Sequence, residues 1–77
     1  MKPGDFIFIG EDEITKIRFY TGPNCDNWVS VMGTPLFLIT GMSSDKFGHG
    51  TYKLLGGNRT FWIYAGDLPF IRYKVLS

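Results

Sequence analysis

Apolar and polar residues alternate along this chain in short runs, with glycine or proline breaking the pattern at close intervals. A period of two between turn-forming residues is the mark of strands joined by tight corners. Amphipathic stretches of helical length are wanting. A first strand is expected over residues 5–9, after the turn Lys2-Pro3-Gly4, with Ile7 and Ile9 on one face and Phe6 and Phe8 on the other. Gly10 ends it. Residues 11–20 can be read two ways. Ile14, Ile17 and Arg18 would suit one helical turn, whereas Ile17 and Phe19 alternating with Lys16 and Arg18 would suit a strand. The β-branched residues Ile14, Thr15 and Ile17 favour an extended, twisted loop. Thr21-Gly22-Pro23-Asn24 is a turn cluster, and the polar stretch runs on to Asn27.

A second strand is expected over residues 28–32, with Val29 and Val31 on one face and Trp28, Ser30 and Met32 on the other, until Gly33-Thr34-Pro35 breaks or bends it. Residues 36–42 are apolar on both faces, which suits a central strand or one covered on its outer side, and Gly41 marks a bulge there. The longest polar connection covers residues 43–50. Residues 51–55 and 60–64 form a hairpin around Gly56-Gly57-Asn58-Arg59, because glycine and asparagine accept the positive φ such turns need. Ala65-Gly66-Asp67-Leu68-Pro69 reads as a single helical turn, and residues 70–75 as the closing strand with Ile71 inward. The predicted fold is therefore all-β: a single domain over residues 1–77, built as a small open five-stranded SH3-like barrel with a short helical turn before the last strand.

Length makes packing decisive. A chain of 77 residues sits near the size at which one core only just offsets chain entropy, with a margin of about 3–5 kcal/mol. Cys25 is the only cysteine, so no internal disulfide forms, and Cys25 with His49 supplies too few ligands for structural zinc; neither metal nor cofactor is expected. Seven Phe, four Tyr and two Trp carry the packing instead, each able to bury about 150–250 Å². They exceed what one small interior holds, so several are expected on the outer face, where apolar patches mark interaction surfaces.

Charge narrows the function. The net charge is +1 and the Lys and Arg residues are scattered, so the basic footprint of a duplex-DNA binder is missing. Glu11-Asp12-Glu13 is the sole charge cluster and reads as a solvated loop. No apolar stretch reaches the roughly 18–20 residues of a membrane span. Lys2-Pro3-Gly4-Asp5 does not read as the start of a signal peptide, and with one unpaired cysteine the expected setting is the reducing cytoplasm.

Pro3-Gly4-Asp5 followed by alternating apolar residues 6–9, a glycine-initiated apolar strand over 33–39, the hairpin strand 51–55, Trp62-Ile63, and Asp67-Leu68 before the last strand together resemble the pattern of short SH3-like proteins common in tailed bacteriophages, most of them without assigned function. The resemblance implies a fold and a phage-encoded setting; a fold does not by itself fix a function. The peptide-binding SH3 domains of signalling proteins differ, since their Ala-Leu-Tyr-Asp-Tyr segment and adjacent tryptophan pair are missing here, so binding of PxxP ligands is not expected.

For catalysis the best set is Cys25, His49 and an acid, Asp26 or Asp67, all in loops, and nothing in their spacing brings them together. No enzyme is expected. Gly48-His49-Gly50 and Gly56-Gly57 lead into strands rather than into the helix a phosphate cradle requires, and Asn58-Arg59-Thr60 fits a glycosylation sequon but reads as the hairpin turn. What remains is the aromatic surplus. In the last hairpin Trp62 and Tyr64 share one face and Phe61 and Ile63 the other, while Tyr52 and Leu54 oppose Lys53 and Leu55. The expected function is a non-catalytic binding or adaptor module that contacts a protein, or a second copy of itself, through Trp62, Tyr64, Tyr52 and Trp28, with Arg59 and Lys53 at the rim. The rival is a single-stranded nucleic-acid binder that stacks bases on the same rings, with Lys16, Arg18, Lys53 and Arg72 near the backbone.

Overall fold

The computed structural model describes residues 1–33 and 36–76, which leaves Thr34 and Pro35 of the expected break outside the described residues. Seven strands make one antiparallel sheet: β1 (Phe6–Ile9), β2 (Phe19–Tyr20), β3 (Trp28–Val29), β4 (Leu36–Ser44), β5 (Gly50–Gly56), β6 (Arg59–Tyr64) and β7 (Tyr73–Leu76), in the order β3-β2-β6-β5-β4-β1-β7. The sheet curls around the core but stays open, with β3 and β7 as its edges. This corrects the expected count of five strands. Of the seven, only the two-residue β2 falls in a segment expected as a loop; it pairs with β3 and hangs on β6 through Tyr20 opposite Trp62. The shortness of β2 hides it from any pattern of alternation. β3 is the second expected strand cut short, ending at Val29 rather than at residue 32.

The alternation assigns faces correctly. Ile7 and Ile9 of β1, Phe37 and Ile39 of β4, Leu54 of β5 and Phe61 and Ile63 of β6 all point inward and are buried. With Phe19 of β2 they form the centre of the core, where Phe19 stacks on Phe37 at 5.2 Å and meets Phe61 edge-on at 5.8 Å. Burial of each such side chain stabilises by about 1.5–3 kcal/mol. Val29 and Val31 pack against this core from its flank.

Residues 11–20 are not the extended loop expected. Glu11–Ile14 forms one helical turn, α1, in which the Ile14 N–H donates to the Gly10 carbonyl at 2.9 Å. The turn drops Ile14 onto the open end of the core, where it is buried. Burial of that side chain outweighs the weak β preference of its neighbours. The acidic cluster thus lies in a helical turn rather than a loop, and Glu13 is ion-paired with Lys16 at 2.7 Å, which holds its carboxyl below the usual range.

Turn chemistry accounts for the remaining corners. Gly57 and Asn58 adopt φ of 57° and 62°, the left-handed pair of a two-residue hairpin turn. Register slips between Ile39 and Gly41, a bulge that bends the long strand β4 across the molecule. The expected helical turn is a 3-10 helix over Ala65–Phe70 that buries Leu68; it delays the closing strand to Tyr73–Leu76, with Ile71 inward just before it. At the N-terminus Asp5 is buried, and its carboxylate accepts the Lys2 N–H at 3.1 Å, so Pro3-Gly4-Asp5 is a structural corner. Among the described residues no helix is long and apolar enough to cross a membrane.

Candidate binding surface

Outward positions follow from the same registers. Tyr20 stands opposite Trp28 on one side and Trp62 on the other, and Trp62 stands opposite Lys53. Four neighbouring strands therefore carry the row Trp28, Tyr20, Trp62, Lys53 across the outer face. Tyr64, two residues beyond Trp62, meets the Tyr20 ring edge-on at 5.5 Å and extends the row sideways. The rings are half-buried side by side, except for Trp28 at the sheet edge, which is 56% exposed.

Cations border the row. The Arg18 guanidinium lies 5.3 Å from the Trp28 ring centre and the Lys53 ammonium 5.7 Å from that of Trp62. At such distances the ring quadrupole attracts the charge by about 0.5–1 kcal/mol at an exposed site. That is weak enough for a partner to displace either side chain. The result is a row of aromatic rings with a positive charge at each end.

Of the residues expected at a binding surface, the structure gathers Trp28, Trp62, Tyr64 and Lys53 on one face and separates the other two. Tyr52 pairs with Ile63 on the inner side and packs against the core, because the register of β5 with β6 puts it on the face of Leu54. Arg59 lies at the hairpin turn with its guanidinium 5.1 Å from the Phe61 ring, away from the row. Two members were missed. Arg18 was expected only as a backbone contact for nucleic acid, and Tyr20 was hidden in a segment read as a loop; only the outward parity of Tyr20 beside inward Phe19 could have signalled it.

Tyr64 connects the row to a small polar cluster. Asp45 is buried beneath the connection from β4 to β5. Its carboxylate accepts the Tyr64 hydroxyl at 2.7 Å, the Phe47 and His49 N–H groups at 2.9 Å each, and lies 3.2 Å from Nδ1 of His49. Burial alone would push this carboxyl up; the donors from Tyr64, His49 and Phe47 outweigh it and hold it at about 2. Its bond to Asp45, reinforced by burial, pushes the Tyr64 phenol well above its ordinary value. Cys25, with φ of 56°, brings its thiol against the Tyr64 hydroxyl. Asp26 is 3.6 Å from Lys46 and so ties the two loops together.

The acid beside His49 is thus Asp45, not Asp26 or Asp67 as the catalytic set supposed. Among the described residues no hydrogen bond joins Cys25 to His49. Burial pushes the Cys25 thiol up, and the carboxylates of Asp45, Asp26 and Asp67 push it further, against a bond from Tyr64 that lowers it. A nucleophilic cysteine needs the opposite field. Both carboxylate oxygens of Asp45 are already engaged, one by the Phe47 and His49 N–H groups of its own loop and the other by the Tyr64 hydroxyl of β6, so the cluster works as a clasp for residues 45–49. Among the described residues no group of three or more His, Cys, Asp or Glu side chains is arranged to hold a metal ion.

No protein-family model matches this chain, and neither a curated protein nor a solved structure matches it.

Proposed function

We propose that this chain is a non-catalytic, SH3-like binding module of the kind found in tailed bacteriophages, and that it contacts a protein partner through the outer row Trp28, Tyr20, Trp62 with Tyr64 beside it. The order β7-β1-β4-β5-β6, with the 3-10 turn before the last strand, supports the SH3-like reading, the β2–β3 hairpin being an elaboration of the first loop. One observation carries the function: three aromatic rings from three strands stand in register on a solvent-facing side of the sheet, bordered by Arg18 and Lys53. Aromatic and arginine side chains dominate the energy of protein interfaces.

The nucleic-acid reading is weaker on the same geometry. Of the four cations it enlists, only Arg18 and Lys53 border the rings; Lys16 is paired with Glu13 at 2.7 Å. A phosphate backbone wants a continuous basic track along the stacked bases.

The test is to select peptides against the immobilised wild-type chain and measure their affinity for the Trp28→Ala/Trp62→Ala variant, with circular dichroism as the control for folding. The expected result is a loss of at least about tenfold with the fold intact. Undiminished affinity in the variant overturns the assignment. Tryptophan quenching by an oligothymidylate at low salt, fading steeply as salt rises, replaces it with the nucleic-acid reading.

A further inference from the structure

The ladder between β2 and β3 pairs Tyr20 with Trp28 and Phe19 with Val29, and there it ends. Beyond Phe19 and Val29 the two chains part, one leading back into α1 and the other on through residues 30–32. Between them opens a cleft of about 350 Å³ that reaches the buried side chains of Ile14 and Phe19 and is walled by Ile17, Val29 and Val31, each only partly buried against the core. Its size lies at the lower end of the range of about 300–1,000 Å³ for ligand sites, which suits apolar side chains rather than a folded element. β3 is an edge of the sheet, so the cleft is reached without displacing another strand. Met32 also lines it and is 86% exposed; its flexible thioether chain adapts readily to a guest.

Charge and continuity define the guest. Among the described residues Arg18 is the only charged one that lines the cleft, and no carboxylate is paired with it. A guanidinium fork beside an apolar cleft is complementary to a carboxylate next to an apolar group. A phosphate, with nearly two charges, would be only half neutralised by a single guanidinium. Trp28 both lines the cleft and heads the aromatic row, so a chain lying along the row runs directly into the cleft. A guest long enough to use both is a polypeptide segment.

We propose that this cleft receives a bulky aliphatic side chain of the protein partner while Arg18 binds a neighbouring carboxylate of the same segment. The inference rests on the protein-binding reading above and supplies what that reading leaves open, the chemistry the partner must carry: an aliphatic and an acidic residue close together in an exposed stretch of chain. Burial of the aliphatic group against Ile14 and Phe19 provides affinity, and the ion pair selects which aliphatic segments are accepted.

Selection from a random peptide library on the immobilised full chain, repeated on Arg18→Glu, tests this. The wild type is expected to enrich peptides in which an acidic residue neighbours Leu, Ile or Met. Arg18→Glu is expected to bind those peptides at least about tenfold more weakly and to enrich Lys or Arg at the acidic position, with the aliphatic residue kept. Arg18 is exposed, so the variant should fold, and circular dichroism checks that it does. Should it not fold, exchanging the acidic residue of a selected peptide for Gln reads the same charge on the wild type: a tenfold loss supports the ion pair and unchanged affinity overturns it. Peptides that need Trp28 and Trp62 but show no acidic preference, or keep it on Arg18→Glu, overturn this inference and leave the protein-binding reading standing. A chain that selects no peptide overturns both. If that chain instead binds decanoate with amide shifts at Ile17 and Val31, the cleft belongs to a small free carboxylate and the polypeptide guest is refuted.

Discussion

Replacing Gly56 with alanine tests the most tightly specified contact in the core. A β-carbon at Gly56 would stand 2.6 Å from Cδ1 and 2.9 Å from Cε1 of Phe37, with the Leu36 carbonyl oxygen at 3.4 Å. The Phe37 ring has nowhere to retreat, because it is wholly buried, stacked on Phe19 at 5.2 Å and met edge-on by Phe61 at 6.2 Å. Overpacking of this kind costs about 1–3 kcal/mol. Against a margin of about 3–5 kcal/mol for so small a core, Gly56→Ala removes about half the stability and lowers the melting temperature by about 10–15 °C, at about 4–8 °C per kcal/mol. Chemical denaturation of Gly56→Ala, Phe37→Leu and the double variant measures the coupling directly. The leucine vacates the space the new methyl needs, so the double variant is expected to be more stable than the sum of the two losses, by about 1–2 kcal/mol. A neutral Gly56→Ala, or strictly additive losses, would refute the packing described.

Two further outcomes follow from the clasp around Asp45. Its carboxyl sits at about 2 in the folded chain against an ordinary 3.8, so its contribution to stability is complete above the ordinary value and disappears as pH falls through about 2. The Tyr64 phenol and Cys25 thiol are raised from 10.0 and 9.0, so theirs is complete below those values and is lost as pH rises, once the unfolded chain ionises and the folded one resists. Urea midpoints should therefore hold a plateau from about pH 5 to pH 9, and Asp45→Asn should flatten the acid limb; an unchanged acid limb in that variant would remove the clasp from the explanation. Cys25 should react with a disulfide reagent at pH 8 more slowly than a free thiol such as glutathione, and labelling as fast as glutathione would contradict the field assigned to its surroundings.

The bulky groups left outward on this sheet have a simple origin. One sheet encloses one core, so each inward residue has an outward neighbour, and here both ends of the sheet carry bulky apolar groups outward. At the β3 end these groups are rings bordered by cations; at the β7 end they are aliphatic side chains and two phenylalanines with a single lysine.

Local physics made much of this readable in advance. The faces of Ile7 and Ile9, the Gly57-Asn58 corner, the bulge at Gly41 and the helical turn at residue 65 depend on side chains next to one another in the chain, through period-two alternation and tolerance of positive φ. Register between distant segments depends on total packing instead, and that is where the sequence alone fell short. It could not tell that Tyr20 joins Trp28 to Trp62, that Tyr52 turns in while Trp62 turns out, or that Asp45 rather than Asp26 or Asp67 meets His49 and Tyr64. A two-residue strand such as β2 and a buried carboxylate carry no local signal. Their places are decided by which arrangement best seals one small core, a property of the whole chain at once.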